Sequence, residues 1–424
     1  MGTAAYWLWL QDAMGAGANT ADMLAAFGTA QAVWSASQTA RAMSGAFTPR
    51  QLTKMRDAAP KDFAPLIRAC AAKGWEILTP ESGNYPPLLR AIGAPPLALF
   101  CQGESDVLRH PMPLGVVGTR NVSYRSRKIA NRLCVSLAGA GALIVSGGAL
   151  GVDSAAHEGA LAAGAKTVAV LGTGLDARYL MENAPLRQRI SQSGVLITEF
   201  VPGSQGRPQN FPIRNRIISG MSRGVLVIEA GERSGSLITA GQALEQGRDV
   251  FAVPGDISTS TNNGSNKLIR EGAKAVFSAF DVLEDYALRY PGVVDLARAD
   301  TVLAHAPDYI PPKESPRKKT VRKKGTDTTT PVETVPQAPY TPYEKQPREE
   351  TLAPSAAQTV VSADACSAGA QRVFALLGDE AQGADALART LASPIGEVMA
   401  ALTELELFGA AQRVAGNAYL RGKA

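Results

Sequence analysis

Glycines, hydroxyl residues and arginines follow several apolar runs of the sequence and could together bind phosphate. Two such groups are Gly118-Thr119-Arg120 and Ser146-Gly147-Gly148. Glycines let a backbone approach an anion closely, and the N–H groups at a helix N-terminus attract negative charge. An arginine adds a fork-shaped donor that matches phosphate. We therefore expect a phosphate-binding surface at these turns.

Two windows without acidic residues hold a cluster of positive charge. One lies between Asp106 and Asp153, the other between Glu199 and Glu229. The net charge of the chain is only +5, so local clustering of this kind indicates a surface for a polyanion. The cations are Arg109, Arg120, Arg125, Arg127, Lys128, Arg132, Arg207, Arg214, Arg216 and Arg223. Lys128 and Arg132 could equally be ordinary charges on a helix surface.

An aromatic residue, Phe211, lies inside the second window beside Pro212. Single-strand binders stack bases on such rings. A place in the hydrophobic core is the other interpretation of this residue, and the sequence leaves both open.

Groups that could catalyse a reaction are scarce. Asp153 and His157 have helical i, i+4 spacing, which is typical of a local pair or cap, and Glu199 and Glu229 lack a nucleophile or metal cluster beside them. The four cysteines and three histidines show no metal-ligand spacing. Gly172-Thr173-Gly174 lacks the third glycine of a dinucleotide fingerprint, and no P-loop motif occurs. We expect no metal, no cofactor and no enzymatic reaction.

Short apolar runs alternate with helix-compatible segments in the region that carries these residues. Near-continuous Val/Ile/Leu runs are typical of strands buried on both faces, and their alternation with helices favours a doubly wound, mostly parallel α/β sheet of Rossmann-like type. In such a sheet, ligands bind beyond the carboxyl ends of the strands. The predicted strands are 114–117, 142–145, 167–171, 195–198, 224–228 and 249–253.

The remaining sequence predicts three further regions around the α/β core at 81–290. Residues 1–80 hold all four tryptophans in Ala-rich helical stretches, which indicates a small helical domain. Residues 291–364 form a Pro/Thr-rich, basic linker, either merely solvated or an auxiliary nucleic-acid contact. Residues 365–424 show three short helices and a hairpin with a Gly-Asn turn, the pattern of a winged helix. Its acidic third helix favours a protein contact or weak DNA binding.

Membrane insertion is not expected. No run approaches the roughly 20 apolar residues of a membrane span, and no Lys or Arg precedes Arg41 to form the charged region of a secretory signal. These features favour a cytoplasmic protein.

A series of motifs in fixed order resembles the DNA-processing protein A (DprA, also called Smf) family. The motifs include Gly115-Val116-Val117-Gly118-Thr119-Arg120, Ser146-Gly147-Gly148-Ala149 and Ala169-Val170-Leu171-Gly172-Thr173-Gly174-Leu175-Asp176. The most specific one is Phe211-Pro212-Ile213-Arg214-Asn215-Arg216, which is followed by Ser234-Gly235-Ser236-Leu237. The resemblance is strongest between Tyr85 and Ala273.

The resemblance implies a homodimeric protein that binds single-stranded DNA and loads the RecA recombinase onto it during natural transformation. It also implies that the N-terminal helices form a sterile-alpha-motif-like (SAM-like) domain, that Gly118, Thr119 and Arg120 clamp phosphate, and that Phe211, Arg214 and Asn215 belong to the site. The whole expected site comprises Gly118, Thr119, Arg120, Arg125, Gly147, Gly148, Arg207, Phe211, Arg214, Asn215, Arg216, Ser234, Gly235 and Ser236.

The chain departs from the family pattern in two places. Tyr179-Leu180-Met181 stands where the family usually has Tyr-Pro and often a basic residue, so a lysine contact is expected to be absent there. Ser123-Tyr124-Arg125 replaces the usual Tyr-Gly and would bring an extra cation, Arg125, beside the clamp.

Two other functions compete with this interpretation. A nucleotide-processing enzyme of the lysine-decarboxylase-like phosphoribohydrolase type would carry Pro-Gly-Gly-x-Gly-Thr, whereas Pro254-Gly255 here runs into Asp256-Ile257. A transcription regulator would read DNA with the winged helix, which the acidic third helix disfavours. The sequence therefore favours a non-catalytic single-strand binder.

Overall fold

The computed structural model describes residues 2–310, 367–378, 382–407, 410–414 and 418–421. The chain divides into two compact units, residues 1–320 and residues 321–424, and each is described by itself. No helix within the described residues is long and apolar enough to cross a membrane.

Within residues 2–310, nine strands form one mostly parallel sheet in the order β1-β2-β6-β5-β4-β3-β7-β8-β9. The pairs β1–β2 and β2–β6 are antiparallel, and all other pairs are parallel. The strands are β1 (Glu76–Leu78), β2 (Leu99–Gly103), β3 (Pro113–Val117), β4 (Leu143–Ser146), β5 (Thr167–Val170), β6 (Val195–Thr198), β7 (Gly224–Val227), β8 (Asp249–Ala252) and β9 (Lys274–Ala275).

The six predicted strands are confirmed as β3 to β8, and the doubly wound α/β class with them. Side chains along these strands alternate between two hydrophobic cores, one on each face of the sheet; Val116 and Leu226 face one core, and Val117 and Val227 face the other. The strand order reverses between β3 and β7. At such a switch point the loops beyond the carboxyl ends diverge and leave a crevice for a ligand.

Helices cover both faces of this sheet. Those of the first core are α8 (Tyr124–Gly139), α9 (Val152–Ala162), α14 (Ala279–Arg289) and α15 (Leu296–His305). The other face carries α7 (Pro87–Arg90), α11 (Asn210–Gly220), α12 (Gly235–Glu245) and α13 (Asn263–Arg270). Helix α10 (Ala184–Ser193) lies on the same face as α9 and packs over Ala169 and Leu196.

The N-terminal helices enclose a core of their own that is rich in aromatic residues. Trp9 contacts Trp34 edge to face at 5.1 Å, and the Arg41 guanidinium lies 5.5 Å from the Trp9 ring centroid. Gln11 joins this region to the sheet, because its side-chain amide donates to the Glu199 carbonyl at 2.9 Å. The helices are α1 (Thr3–Met14), α2 (Ala21–Phe27), α3 (Ala30–Ser35), α4 (Gln38–Met43), α5 (Pro49–Asp57) and α6 (Ala64–Ala72).

The chain remains part of the compact core beyond residue 291, where the predicted linker was expected to begin. Helix α15 packs on α8 and buries Ala299, and the Asp295 carboxylate caps its first turn. The linker prediction is therefore wrong for residues 291–305. The reason is that α15 has a short apolar face, with Leu296 and Ala299, that packs into the hydrophobic core. The prediction was based on the Pro/Thr composition of the later residues, which have few apolar side chains to bury. Residues 311–364 of that prediction lie outside the described part.

The described residues of the C-terminal unit form three helices and a small antiparallel sheet. Helix α18 contributes Val398, Leu402 and Leu405 to the core, as its apolar spacing predicts. The elements are α16 (Ala368–Leu376), β10 (Gln382–Gly383), α17 (Ala384–Leu391), α18 (Ile395–Leu407), β11 (Ala411–Val414) and β12 (Ala418–Arg421). The predicted Gly-Asn turn between the last two strands lies outside the described residues.

Candidate nucleic-acid interface

The turn after β3 lies at the switch point of the sheet and is held from two sides. The Thr119 N–H donates to the Glu229 carbonyl after β7 at 2.8 Å, and the Val152 N–H of α9 donates to the Thr119 carbonyl at 3.3 Å. A Cβ at position 118 would lie 2.5 Å from a Val152 methyl carbon, so glycine is required for this approach. The turn leaves the Arg120 side chain exposed to solvent.

A cleft of about 330 Å³ opens beside this turn and brings together most of the predicted site. It is formed by the β3 turn, the first residues of α11 and the N-terminus of α12. The predicted residues that line it are Gly118, Thr119, Arg120, Phe211, Arg214, Asn215, Ser234, Gly235 and Ser236. Asp153, Pro212, Ile238 and Thr239 also line it and were not predicted as site residues.

Arg120 lies over an aromatic pair at the mouth of the cleft. Its guanidinium carbon is 4.6 Å from the centroid of the Phe211 ring, and its Nη1 donates to the Tyr179 hydroxyl at 3.3 Å. The Phe211 and Tyr179 rings are 5.4 Å apart. Phe211 is half-buried: one edge of its ring packs against Gly172, where a side chain would clash with it, and part of the ring is accessible. A cation and an accessible ring thus stand side by side.

The N-terminus of α12 forms the opposite wall. Ser234 caps the helix by accepting a hydrogen bond from the Ser236 N–H, and the two hydroxyls are 2.7 Å apart. The Asn215 side-chain amide donates to the Gly235 carbonyl at 3.3 Å and so ties α11 to this turn. An 11-residue helix that begins at the cleft places its positive dipole end there, which favours a bound anion.

The family model for DNA recombination-mediator protein A matches residues 76–287, half of the chain, and a DprA winged-helix model matches residues 350–417. The chain belongs to the DNA-processing protein A (DprA) family. The resemblance inferred from the motifs is thereby confirmed, as is the C-terminal winged helix. Membership of this family gives the chain a DNA-processing role.

Similar proteins span a wide range of bacteria. The Bacillus subtilis DNA processing protein DprA is 40% identical over 220 residues, covering 52% of this chain and 74% of that protein. The Streptococcus pneumoniae DprA is 46% identical over 202 residues, covering 48% and 71%. The solved structure of DprA from Streptococcus pneumoniae superposes with a TM-score of 0.59 at 35% identity, covering 67% of this chain and 99% of that one.

Arg214 of the DprA motif occupies the floor of the cleft and is only 4% exposed. Its Nη1 donates to the carbonyl oxygens of Gly147, at 2.6 Å, and Val170. Burial lowers its pKa to about 10, so the guanidinium stays charged at neutral pH and lends the cleft a positive potential. Two of its donors are engaged within the protein, Nη1 by the ends of β4 and β5 and Nε by Asn215, and the residue also lines the cleft. A direct contact between Arg214 and DNA stays a prediction.

Arg216, two residues later, points to the other side of α11. Its Nη2 donates to both Glu199 carboxylate oxygens at 2.7 Å, and Arg216 is only 8% exposed. The Gly17 N–H donates to the same carboxylate at 3.3 Å. Arg216 does not line the cleft, and its charge is compensated inside the protein where α11 meets the N-terminal helices. The DNA contact through Arg216 stays a prediction.

The other predicted residues do not line the cleft. Gly147 and Gly148 form a much smaller cavity at the far edge of Phe211, where Gly148 adopts a left-handed φ of +64°. Arg207 is exposed in the loop before α11, and Arg125 is exposed in the first turn of α8, where it lines a separate groove. Tyr179, which contacts Arg120 and Phe211, was not predicted as a site residue. The sequence drew attention to it only through the comparison of residues 179–181 with the family pattern.

The carboxylates and the histidine considered as catalytic groups have internal partners. The buried Glu229 accepts hydrogen bonds from the Ser123 N–H and hydroxyl, the latter at 2.7 Å. His157 is hydrogen-bonded to the Thr167 hydroxyl at 2.8 Å, and burial lowers its pKa to about 3. Asp153 accepts from the Ala149 N–H at 3.2 Å. These contacts fit structural roles in this DprA fold.

Proposed function

We propose that this DprA-family protein binds single-stranded DNA in the cleft at the switch point. In this proposal it acts without catalysis, as a homodimer, to protect incoming DNA and to load RecA onto it during natural transformation. The observation that carries the proposal is the exposed Arg120 guanidinium over the half-buried Phe211 ring, at the open mouth of the cleft.

The geometry suits an unpaired strand for two reasons. Arg120, the β3 turn and the α12 N-terminus offer donors to one or two phosphates, while the Phe211 and Tyr179 rings offer flat surfaces beside them. Bases expose their faces for such stacking only when they are unpaired. A duplex could use the phosphate donors but not the rings.

Binding is favoured over catalysis by the state of the acidic groups. Glu199 is paired with Arg216, Glu229 accepts from Ser123, and neither carboxylate lines the cleft. Asp153 does line it, and its carboxylate accepts a hydrogen bond from the Ala149 N–H. The phosphoribohydrolase alternative finds no support in its diagnostic loop. Pro254-Gly255 is followed by Asp256-Ile257, so the second glycine and the Gly-Thr of that motif are absent.

The test is the affinity of a labelled single-stranded oligonucleotide and of its duplex at two salt concentrations. Arg120→Ala should weaken single-strand binding by about 1–3 kcal/mol and flatten its salt dependence, because it removes a charge-assisted hydrogen bond to phosphate. Arg68→Ala, on the exposed surface of α6, is the matched control for charge and should bind like the wild type. Unchanged affinity in Arg120→Ala would remove the clamp from the proposal.

RecA loading and the dimer need their own readouts. The wild type should shorten the lag before RecA hydrolyses ATP on single strands that are coated with single-strand-binding protein. Arg120→Ala should shorten this lag less, in proportion to its weaker affinity for the strand. Sedimentation at equilibrium should give twice the mass of one chain. A monomer, or a lag that the protein does not change, would contradict the corresponding part of the proposal.

A further inference from the structure

A second groove, larger than the cleft, lies between α8 and α15. It has a volume of about 670 Å³ and is closed at one end by the N-terminus of α14. Its floor is apolar and consists of Ile129, Leu133, Leu296, Ala299 and Leu303. The α15 wall lies outside residues 76–287 that match the family model, so the family match does not account for this groove.

Three aromatic rings at the groove are unusually accessible. Tyr124 is 67% exposed, Phe277 79% and Phe280 54%. Large aromatic side chains normally bury most of their surface, so a group of three around one groove indicates a ligand with flat, apolar faces. Nucleotide bases have such faces.

A row of cations follows the same groove along α8. Arg125, Lys128 and Arg132 have spacings of three and four residues, so they share one face of the helix. None of them forms an ion pair with a carboxylate within residues 2–310. Among the described residues that line the groove, Asp300 is the single acidic one. The groove is therefore positively charged.

Another cavity of the same unit shows that this charge is specific to the groove. The cavity beside β8 and β9 carries Arg248, Lys274 and Arg289 together with Asp249, Glu271 and Asp285. Cations and acids balance there, and Lys274 is paired with Glu284 and with Asp285. A polyanion would gain little electrostatic attraction in that cavity, whereas the cations of the α8 groove are not neutralised by nearby acidic residues.

The groove continues from the edge of the sheet that holds the cleft. Ser123, the N-cap of α8, is bonded to Glu229 beside the β3 turn, and Tyr124 and Arg125 follow directly. Arg125 is five positions after Arg120, so their Cα atoms are at most about 18 Å apart. Phe277 follows β9, whose carboxyl end lies on this same edge because β3, β7, β8 and β9 are parallel.

We propose that single-stranded DNA held at Arg120 continues into the α8–α15 groove, where Arg125, Lys128 and Arg132 contact phosphates and Tyr124, Phe277 and Phe280 stack on bases. This proposal rests on the proposed function of the cleft. Exposed rings beside unpaired cations fit a strand better than an acidic peptide, whose apolar side chains would seek the floor and leave the rings at the rim unused.

The test compares short and long oligonucleotides of thymidine, roughly 5 and 25 nucleotides, because single-strand sites of this kind span about 4–16 nucleotides. The variant Lys128→Ala/Arg132→Ala should bind the short strand like the wild type. It should bind the long strand about tenfold more weakly, with a salt slope that is lower by roughly 0.7 for each phosphate the variant no longer neutralises. Phe280→Ala should weaken only long-strand binding, by about fivefold or more.

The control for charge is Arg50→Ala/Arg68→Ala, which removes two exposed cations from the N-terminal helices and should leave both affinities unchanged. If neither length binds the wild type, the proposed function of the cleft fails. If both lengths bind and Arg120→Ala weakens them, while the groove variants have no effect on the long strand, the cleft stands. The groove proposal is then overturned, and the groove would belong to a protein partner.

Discussion

The two acid-free basic windows look alike in sequence but differ in the folded protein. In the first, between Asp106 and Asp153, Arg120, Arg125 and Lys128 are exposed. In the second, between Glu199 and Glu229, Arg207 is exposed as well, but Arg214 and Arg216 are buried and donate to groups of the protein itself. A window without acids therefore does not identify unpaired cations, because the partner can come from outside the window or be a backbone carbonyl.

The arginines of the site therefore have two different roles. Arg120 is exposed and can contact a ligand, whereas the buried Arg214 and Arg216 donate to groups of the protein and help to hold α11 in place. Burial of a charge is tolerated only when it is paired or fully hydrogen-bonded. Removing an inner arginine should therefore cost stability, and removing an outer one should cost affinity.

Arg216→Ala should give the largest effect, a decrease of about 3–5 kcal/mol in the free energy of unfolding, because Glu199 is left buried and unpaired. Denaturant titration followed by circular dichroism measures it. The double variant Glu199→Gln/Arg216→Met removes both charges and should recover much of the decrease. A decrease below about 1 kcal/mol, with DNA affinity reduced instead, would mean that Arg216 belongs with the outer arginines.

Phe211→Ala should weaken single-strand binding by about 1–3 kcal/mol, since it removes a stacking surface and the support under Arg120. Phe211→Leu is the matched control for packing: it fills the space beside Gly172 but cannot stack. Both variants should bind more weakly, as measured by anisotropy of a labelled strand. A lower melting temperature with intact affinity would show that Phe211 is a core residue.

Tyr179→Phe should weaken binding by about 0.5–1.5 kcal/mol, because the hydroxyl that accepts from Arg120 is removed while the ring beside Phe211 remains. The same anisotropy assay applies, with melting temperature as the check on folding. If Arg120 needs no orientation, the affinity will equal that of the wild type. Tyr179 would then be only a neighbour of the clamp.

Deletion of residues 311–424 should have the smallest effect on short-strand affinity, within about twofold of the wild type. The cleft lies entirely in the first compact unit, so the shortened chain retains every residue that lines it. Titration with a short oligonucleotide is the measurement. A tenfold or greater decrease in affinity would place an essential part of the site in the C-terminal region.

The strands of the central sheet illustrate how far sequence reasoning extends. β3 to β8 are continuous apolar runs, because a strand that is buried on both faces needs apolar residues at successive positions rather than at every second one. β1 and β9 were not predicted, because they have only three and two residues and lie at the edges of the sheet, where a strand needs little apolar sequence. β2 was not predicted either, although it has five residues. It follows the proline-rich segment at 86–96, which masks its extended run.

The residues of the cleft show the same division. Gly118, Thr119, Arg120 and Phe211 were predicted because each follows a strand or lies in a motif. Tyr179 was not, since its contact with Arg120 joins residues 59 positions apart. The pairing of Arg216 with Glu199 was hidden for a related reason: both residues were recognised, but no local pattern says that they meet.

Local chemistry thus determines which segments form strands, where glycine turns follow them, and that the region as a whole is basic. These properties depend on a residue and its near neighbours along the chain, so the printed sequence is enough. Whether a given arginine faces solvent, a carbonyl or a carboxylate depends on elements that meet only when the sheet is assembled. Packing of α11 against the N-terminal helices buries Arg216, and the open switch point leaves Arg120 exposed.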